Sequence, residues 1–179
     1  MGVRMAAPKL FHVSENPAIA RFDPRPSPST DAWVIGTAGW ALAEPFLPNY
    51  LLPRDCPRIC FRAKPATTGA DRERFLGAAA HVVAFEASWL DRVRTARLAV
   101  YEMPPATFAD AHLEAGYWIS RESVTPLRMT IVDDGLAALT AAGVEVRIVQ
   151  DFWPLCDAVA GSSLRFSIIR KRNAEPRRA

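Results

Sequence analysis

Short apolar runs, rich in Val, Ile and aromatic residues, recur along the chain and are bounded by Pro, Gly or polar residues. This pattern is typical of β-strands, in which successive side chains point to opposite faces. It predicts strands at residues 9–14, 32–37, 58–62, 81–86, 97–103, 116–120, 124–130 and 144–149.

Other segments carry apolar residues at helical spacing, and the clearest stripe is Leu136, Leu139 and Ala142, which ends before Gly143. The predicted helices are 38–46, 88–96, 133–142 and 154–163. Strands and helices do not alternate strictly, as they would in a doubly wound sheet. The order therefore predicts an α+β fold, with a mixed, mostly antiparallel sheet and a few covering helices.

Composition and charge favour one domain over residues 1–179. The chain has 179 residues, half of them hydrophobic and 23% charged, which suits a packed core. The net charge of +3 is concentrated at the end, where residues 170–179 hold five basic residues and one acidic residue. We therefore expect a flexible basic tail from about residue 170, and no basic face of the kind that binds nucleic acid.

The sequence predicts a cytoplasmic protein without a membrane partner. No apolar run reaches the length that crosses a bilayer, and the start lacks the pattern of a signal peptide. The three cysteines, Cys56, Cys60 and Cys156, do not form the even set of a disulfide framework. The histidines show no paired-ligand spacing, so no metal site is expected.

The first candidate site segment is the strand around His12. Alternation places His12 and Ser14 on one face and Phe11 and Val13 on the other. This arrangement indicates a strand that lines a site, where a neutral histidine orients a sugar hydroxyl or acts as a base. A core histidine bonded to a backbone carbonyl explains the pattern equally well.

The second candidate segment is the proline-framed loop that ends at Arg58. Guanidinium groups of Arg54 and Arg58 match phosphate or carboxylate in paired hydrogen bonds, which favours an anion site. The alternative is an internal bridge from Asp55 that braces the loop. Cys56 is either a thiolate nucleophile with cationic neighbours or a small buried residue.

A third candidate segment surrounds Tyr117, on an aromatic strand that leads to Glu122. A carboxylate at the end of such a strand is suited to electrostatic or general-base work, and Glu114 is the second candidate. The alternative is a surface pair between Glu122 and Arg121 or Arg128.

Motifs over nearly all of the chain resemble an uncharacterised bacterial family. They are the opening Leu10-Phe11-His12-Val13-Ser14-Glu15, the loops Pro24-Arg25-Pro26 and Pro53-Arg54-Asp55-Cys56-Pro57-Arg58, the strand Gly116-Tyr117-Trp118-Ile119-Ser120-Arg121-Glu122, and the closing Ile169-Arg170-Lys171-Arg172-Asn173-Ala174. This resemblance implies membership and no activity.

The order of elements also resembles the ADP-ribosyltransferase-like fold, on His12, Tyr50 and Glu122 or Glu114. The resemblance implies NAD as cofactor. It assigns His12 and Ser14 to the ribose, Tyr50 to the nicotinamide ring and a glutamate to the ribose hydroxyl. Arg25 or Arg54 would then hold the pyrophosphate.

Together these observations predict a pocket between His12, the Arg54–Arg58 loop and residues 117–122. We expect it to bind a nucleotide-like or other anionic small molecule, with an ADP-ribosyltransferase-like enzyme as one form of this function. The competing hypothesis is a non-enzymatic binding or interaction domain whose proline-framed loop is structural. The sequence leaves open the enzyme question, the substrate and the oligomeric state.

Overall fold

The computed structural model describes residues 8–26, 34–112 and 114–178. The chain divides into two compact units. Unit 1 comprises the described parts of Met1–Leu47 and Leu98–Ile131, and unit 2 those of Pro48–Arg97 and Val132–Ala179. The prediction of a single domain stays a prediction.

The described residues form strands, short α-helices and 3₁₀ turns. The strands are β1 (Leu10–Ser14), β2 (Arg25–Pro26), β3 (Thr37–Ala43), β4 (Arg58–Arg62), β5 (His81–Glu86), β6 (Leu98–Met103), β7 (Phe108–His112), β8 (Tyr117–Ser120), β9 (Arg128–Val132), β10 (Glu145–Val149) and β11 (Arg165–Ile169). The α-helices are α1 (Gly69–Asp71), α2 (Leu90–Thr95), α3 (Gly135–Ala141) and α4 (Phe152–Ala160). A π turn follows at Arg72–Leu76, and 3₁₀ turns lie at Glu44–Tyr50, Ala87–Trp89, Pro105–Thr107 and Lys171–Asn173.

Unit 1 is built on a sheet with the strand order β7-β8-β3-β1-β6-β9, and β2 pairs with β3. β3 lies between β1 and β8 and is antiparallel to both. One face of this sheet packs a cluster of buried side chains that exclude water from the middle of the unit. They are Leu10, Ala41, Ala99, Tyr101, Met103, Phe108 and Val124.

Unit 2 is built on a sheet with the order β10-β5-β4-β11. β4 is antiparallel to β5 and β11, whereas β5 and β10 are parallel. Every residue of β5 is buried, which explains its continuous apolar run. One face of the sheet packs on α4 through a common core of Ile59, Phe61, Phe75, Leu76, Val82, Ala84, Phe152, Cys156, Val159 and Leu164.

Side chains cap the two longest α-helices at their N-terminal ends. Asp134 accepts a hydrogen bond from the Ala137 N–H of α3 at 2.9 Å. Asp151 does the same for Trp153 at 3.0 Å, so α4 begins two residues before the predicted start. Within the described residues, no helix has the length and apolar character that a membrane span requires.

The segment after residue 170 lies along α4. Two Nη groups of Arg177 donate to the carboxylate of Asp157 at 2.6 and 2.9 Å, and the guanidinium stacks on Trp153 at 4.2 Å. The Trp153 indole N–H donates to the Glu175 carbonyl at 2.7 Å. These contacts place the segment on the surface of unit 2, and its predicted flexibility in solution stays a prediction.

The α+β class with mostly antiparallel strands is confirmed, and the strands divide between two sheets. The predicted helix 38–46 is wrong, because this segment forms β3 and then the turn Glu44–Tyr50. Ala and Leu favour a helix locally, but pairing on both edges of β3 overrides that preference. Of the predicted strand 32–37, residues 34–36 belong to no strand and residues 32–33 lie outside the described residues.

The hydrophobic pattern also missed some strands. β7 and β11 form at Phe108–His112 and Arg165–Ile169, where half-exposed polar residues interrupt the apolar positions. Both lie at an edge of their sheet, so only one face and one side of each are covered. An edge strand therefore gives a weaker sequence signal than the fully buried β5.

Replacing Gly116 by alanine should destabilise unit 1 strongly. Gly116 has φ +72°, and a Cβ at this position would overlap the Phe46 ring. Gly36→Ala is the matched control in the same unit, since Gly36 has φ +80° and its added Cβ would meet only the end of Arg121. Urea unfolding should show about 1 kcal/mol of strain for Gly36→Ala and roughly 1–3 kcal/mol more for Gly116→Ala. Equal losses would contradict the predicted overlap.

Candidate anion-binding site

In unit 1, His12 occupies the position of a half-buried core histidine. Its Nδ1–H donates to the carbonyl of Trp40 at 2.9 Å. The imidazole lies 4.7 Å from the Phe22 ring, and His12 pairs with Tyr101 across β1 and β6. The hydrogen bond fixes the orientation of the ring, so the second of the two sequence-based explanations matches this contact.

The side chains of His12 and Tyr117 lie on opposite faces of the sheet. Residues directly opposite each other on paired strands share a face. Leu10 pairs with Ala43 and Ala41 with Trp118, which places His12 on the face of Trp118. Tyr117 follows on the other face, where its ring packs edge-on against Trp40 at 5.8 Å. Unit 1 therefore does not bring these two side chains together.

The remaining unit 1 candidates lie at or near its surface. Ser14 Oγ accepts a hydrogen bond from the Asn16 N–H at 3.1 Å. Glu122 and Glu114 are exposed beyond the two ends of β8, and Arg25 is exposed on β2.

The expected surface partners of Glu122 are engaged elsewhere. Arg121 donates to the carbonyls of Ile35 and Thr37 at 2.8 and 2.7 Å. Arg128 forms an ion pair with Glu102. The backbone of Glu122 exchanges hydrogen bonds with the Ser120 hydroxyl, which fixes the end of β8 but not the carboxylate.

In unit 2, Arg58 braces the proline-framed loop from within. It opens β4 and is only 2% exposed. Its Nη1 donates to the carbonyls of Pro53 and Cys56, both at 2.9 Å. The guanidinium also lies 5.4 Å from the centre of the Tyr50 ring. Two carbonyls and an aromatic face thus hold the buried cation in place.

The closing segment of the chain lies against the same loop. Asn173 Nδ2 donates to the Asp55 carbonyl at 2.7 Å, and Arg170 Nε lies 3.9 Å from Asp55 Oδ1. Two motifs that are more than a hundred residues apart in sequence therefore meet in unit 2. Asp55 contacts this C-terminal segment, and its predicted pairing with Arg54, Arg58 or Arg25 stays a prediction.

Four guanidinium groups lie near one another in unit 2, and we call them the arginine cluster: Arg54, Arg58, Arg170 and Arg172. Burial first, and then the neighbouring guanidiniums of Arg172, Arg54 and Arg58, lower the pKa of Arg170, whereas Asp55 acts in the opposite direction. Arg58 Nε is buried and has no hydrogen-bond partner among the described residues. A bound anion stabilises such a group, because it accepts a hydrogen bond from the unmatched donor and offsets the positive charges around it.

Backbone strain marks the same place. Arg170 has φ 55° and ψ 29°, a left-handed conformation that non-glycine residues rarely adopt. Its side chain is 19% exposed, so the turn directs a guanidinium toward the loop. Such strain is often retained at binding sites. Sequence reasoning missed Arg170 because a run of basic residues is typical of a solvated tail.

Cys56 is not a nucleophile in this arrangement. It is fully buried, and its thiol donates to the Pro57 carbonyl at 3.7 Å. Burial, with a smaller contribution from Glu86, raises the pKa of the Cys56 thiol to about 12 against the opposing effect of Arg58. The same cause raises the pKa of Cys60 to about 12. Across residues 8–26, 34–112 and 114–178, no group of three His, Cys, Asp or Glu side chains is placed to hold a metal.

A second polar group lies at the other end of β4. The ring Nε2 of His81 and the amide Oδ1 of Asn49 are hydrogen-bonded at 2.8 Å, and both residues are buried. Burial, followed by the charge of Arg62, lowers the pKa of His81 to about 4. His81 is therefore neutral near pH 7, and its Nε2–H is the donor in this bond.

Comparison with known protein families gives a match over most of the chain. The model of the Family of unknown function (DUF6886) matches residues 11–174. No curated protein matches the chain. No solved structure matches it either. The predicted resemblance to an uncharacterised family is confirmed, and the resemblance to ADP-ribosyltransferases receives no support and stays a prediction.

Stability should fall as the pH drops from 6.5 to 4, because of His81. The unfolded histidine binds its proton near 6.5, whereas the folded one resists protonation down to a pKa of about 4. Between pH 6.5 and 4, folded His81 thus stays neutral while the histidine of the unfolded chain is protonated. The resulting loss in the free energy of unfolding reaches about 3 kcal/mol below pH 4.

The measurement is urea unfolding at a series of pH values. His81→Gln retains a donor for Asn49 and should remove this part of the pH dependence. His112→Gln controls for the loss of an exposed histidine. A wild-type curve that runs parallel to that of His81→Gln from pH 6.5 to 4 would refute the assignment.

Proposed function

The chain belongs to the Family of unknown function (DUF6886), and we propose that its unit 2 binds an anionic, nucleotide-like small molecule at the arginine cluster. The observation that carries this proposal is the buried guanidinium of Arg58, whose Nε lacks a partner while Arg54 and Arg170 lie nearby.

Arg58 carries a buried positive charge. A buried cation is normally paired with an anion, because leaving water costs several kcal/mol. Within the part of the chain that the structure describes, Arg58 has no ion pair, and two carbonyl dipoles provide its compensation. An incoming anion would supply the missing countercharge and accept from Nε.

Other guanidinium groups lie beside Arg58. Arg170 is half-buried beside Arg54 and Arg58, and all of these groups repel one another. Asp55 offsets part of this charge, but it is exposed and its carboxylate lies 3.9 Å from Arg170 Nε, beyond a good hydrogen bond. Arg170 therefore has like charges beside it and only a distant acceptor in Asp55.

The guanidinium donors and the Tyr50 ring indicate the class of ligand. Guanidinium groups present planar pairs of N–H donors that match phosphate and carboxylate oxygens. Tyr50 lies against Arg58 and gives the cluster an aromatic wall. Cations beside an aromatic ring suit an anion that carries a ring of its own, such as a nucleotide. This proposal includes no chemical step.

The bracing hypothesis accounts for part of the same geometry. Arg58 does hold the loop closed through Pro53 and Cys56. Bracing uses Nη1, however, and leaves the buried Nε of Arg58 without an acceptor. A non-enzymatic binding domain is compatible with the proposal, and a purely structural cluster is the alternative that the experiment below excludes.

We also propose a cytoplasmic location. Cys56, Cys60 and Cys156 are free thiols in the structure, and a reducing compartment preserves such thiols.

Isothermal titration calorimetry with inorganic phosphate, ADP and NAD tests the proposal. We expect the wild-type chain to bind at least one of these probes, and Arg170→Gln to weaken that binding by about tenfold or more, since a charge-assisted hydrogen bond contributes about 1.5–3 kcal/mol. The affinity should also fall as salt is added.

Arg147→Gln is the matched control. This variant removes one arginine from the face of the sheet opposite the arginine cluster, where Arg147 Nε lies 2.8 Å from Glu145 Oε1. The affinity of Arg147→Gln for each probe should therefore equal that of the wild type. The absence of any heat at millimolar probe, or equal weakening by both variants, would leave the cluster with a structural role alone.

A further inference from the structure

A buried carboxylate anchors the segment that follows Arg170. Glu86 ends β5 and is 2% exposed. The backbone N–H of Glu175 donates to the Glu86 carboxylate at 3.1 Å, and this is the one hydrogen bond that the carboxylate accepts within the described residues. A charged acceptor that is shielded from water strengthens such a bond. Residues 171–178, which we call the C-terminal strap, are therefore tied to the interior of unit 2.

An ion pair on the surface holds the far end of the strap. Arg177 donates to the carboxylate of Asp157 through both Nη groups, and its guanidinium stacks on the ring of Trp153. The side chains of Arg177 and Asp157 are each 56% exposed. An exposed ion pair stabilises weakly, and its partners can be exchanged without disturbing the core. This clamp is therefore the attachment at which surface substitutions can release the strap.

The strap also constrains the backbone of Arg170. The left-handed turn at Arg170 is closed by the Asn173 N–H, which donates to the Arg170 carbonyl at 2.9 Å. The Asn173 side chain fixes this turn to the loop through the Asp55 carbonyl. A non-glycine residue keeps such a conformation only where the surrounding structure imposes it. Before Arg170, the pairing of β11 with β4 supplies this constraint, and after Arg170 the strap supplies it.

We propose that the C-terminal strap is a latch that positions Arg170 in the anion site, with Arg177 and Asp157 as its clamp. This inference rests on the proposed function and adds a means of regulating the same site. When the strap is docked, the turn directs the Arg170 guanidinium toward the loop. When the strap is released, the strained turn loses its support and the site loses a cation. Arg177 and Asp157 are thus positioning residues, and neither contacts the anion.

The charges around Arg170 set the direction of this coupling. Burial first, and then the other guanidiniums of the arginine cluster, lower the pKa of Arg170, whereas Asp55 acts in the opposite direction. Docking the strap thus brings Arg170 close to like charges. A bound anion offsets this repulsion and favours the docked strap. By linkage, the docked strap must raise the affinity for the anion by the same factor.

Charge reversal at the clamp tests the latch, with calorimetric binding of the tightest binder among inorganic phosphate, ADP and NAD. Arg177→Glu brings two carboxylates together, and Asp157→Lys brings two cations together, so each single variant should release the strap. We expect each to weaken binding by about fivefold or more, as for other linked sites. The double variant, Asp157→Lys with Arg177→Glu, restores an ion pair and the net charge of the wild type, and it should regain wild-type affinity.

The two single variants also distinguish the latch from a general effect of charge. Arg177→Glu makes the chain more negative, whereas Asp157→Lys makes it more positive. A field effect alone would therefore weaken anion binding in the first variant and strengthen it in the second. The latch predicts weaker binding in both. Changes of opposite sign would overturn the latch, and so would wild-type affinity in both single variants.

Hydrogen exchange at the Glu175 amide provides a second readout, because this N–H bonds to Glu86. Exchange should be faster in both single variants than in the double variant, and slower in the wild type once the anion is bound. A wild-type amide whose exchange rate does not respond to a bound anion would refute the latch and leave the anion site standing, and this comparison needs no variant. A wild-type chain that binds none of the three probes would remove the proposed function and the latch together.

Discussion

The buried guanidinium of Arg58 is the constraint on which unit 2 depends. A cation that is removed from water needs acceptors for its N–H donors and compensation for its charge. Arg58 achieves part of this by drawing the Pro53 and Cys56 carbonyls onto Nη1, which shapes the loop. The same loop then receives the C-terminal segment through Asp55 and Asn173. Loop, strand and chain end are thus organised around one charge.

β4 connects this constraint to the core. Its alternation sends Ile59 and Phe61 into the cluster beneath α4, while Arg58, Cys60 and Arg62 occupy the opposite face. Core packing on one face therefore fixes the position of cations on the other. The first residue of β4 thus carries the buried guanidinium of the arginine cluster.

Local sequence predicted those parts of the fold whose signals are themselves local. β4 and β5 form with the predicted bounds, since each is an apolar run between clear breaks. The local preference of Ala and Leu predicts a helix where β3 forms, because the stabilisation of β3 comes from partners on both edges. Guanidinium chemistry predicts an anion site at Arg54 and Arg58, and that stays a prediction. The sequence does not point to Arg170, because only tertiary contact distinguishes it from an ordinary basic tail.

The opposite faces of His12 and Tyr117 follow from registers that link β1, β3 and β8, and no single segment encodes them. The most direct test of the central claim is a crystal structure of the chain soaked in tungstate, with anomalous scattering used to locate the metal oxyanion. The account predicts a peak beside Arg58, with an oxygen within hydrogen-bond distance of Nε and contacts to Arg170. A well-occupied tungstate elsewhere, with Arg58 Nε still unaccompanied, would contradict it.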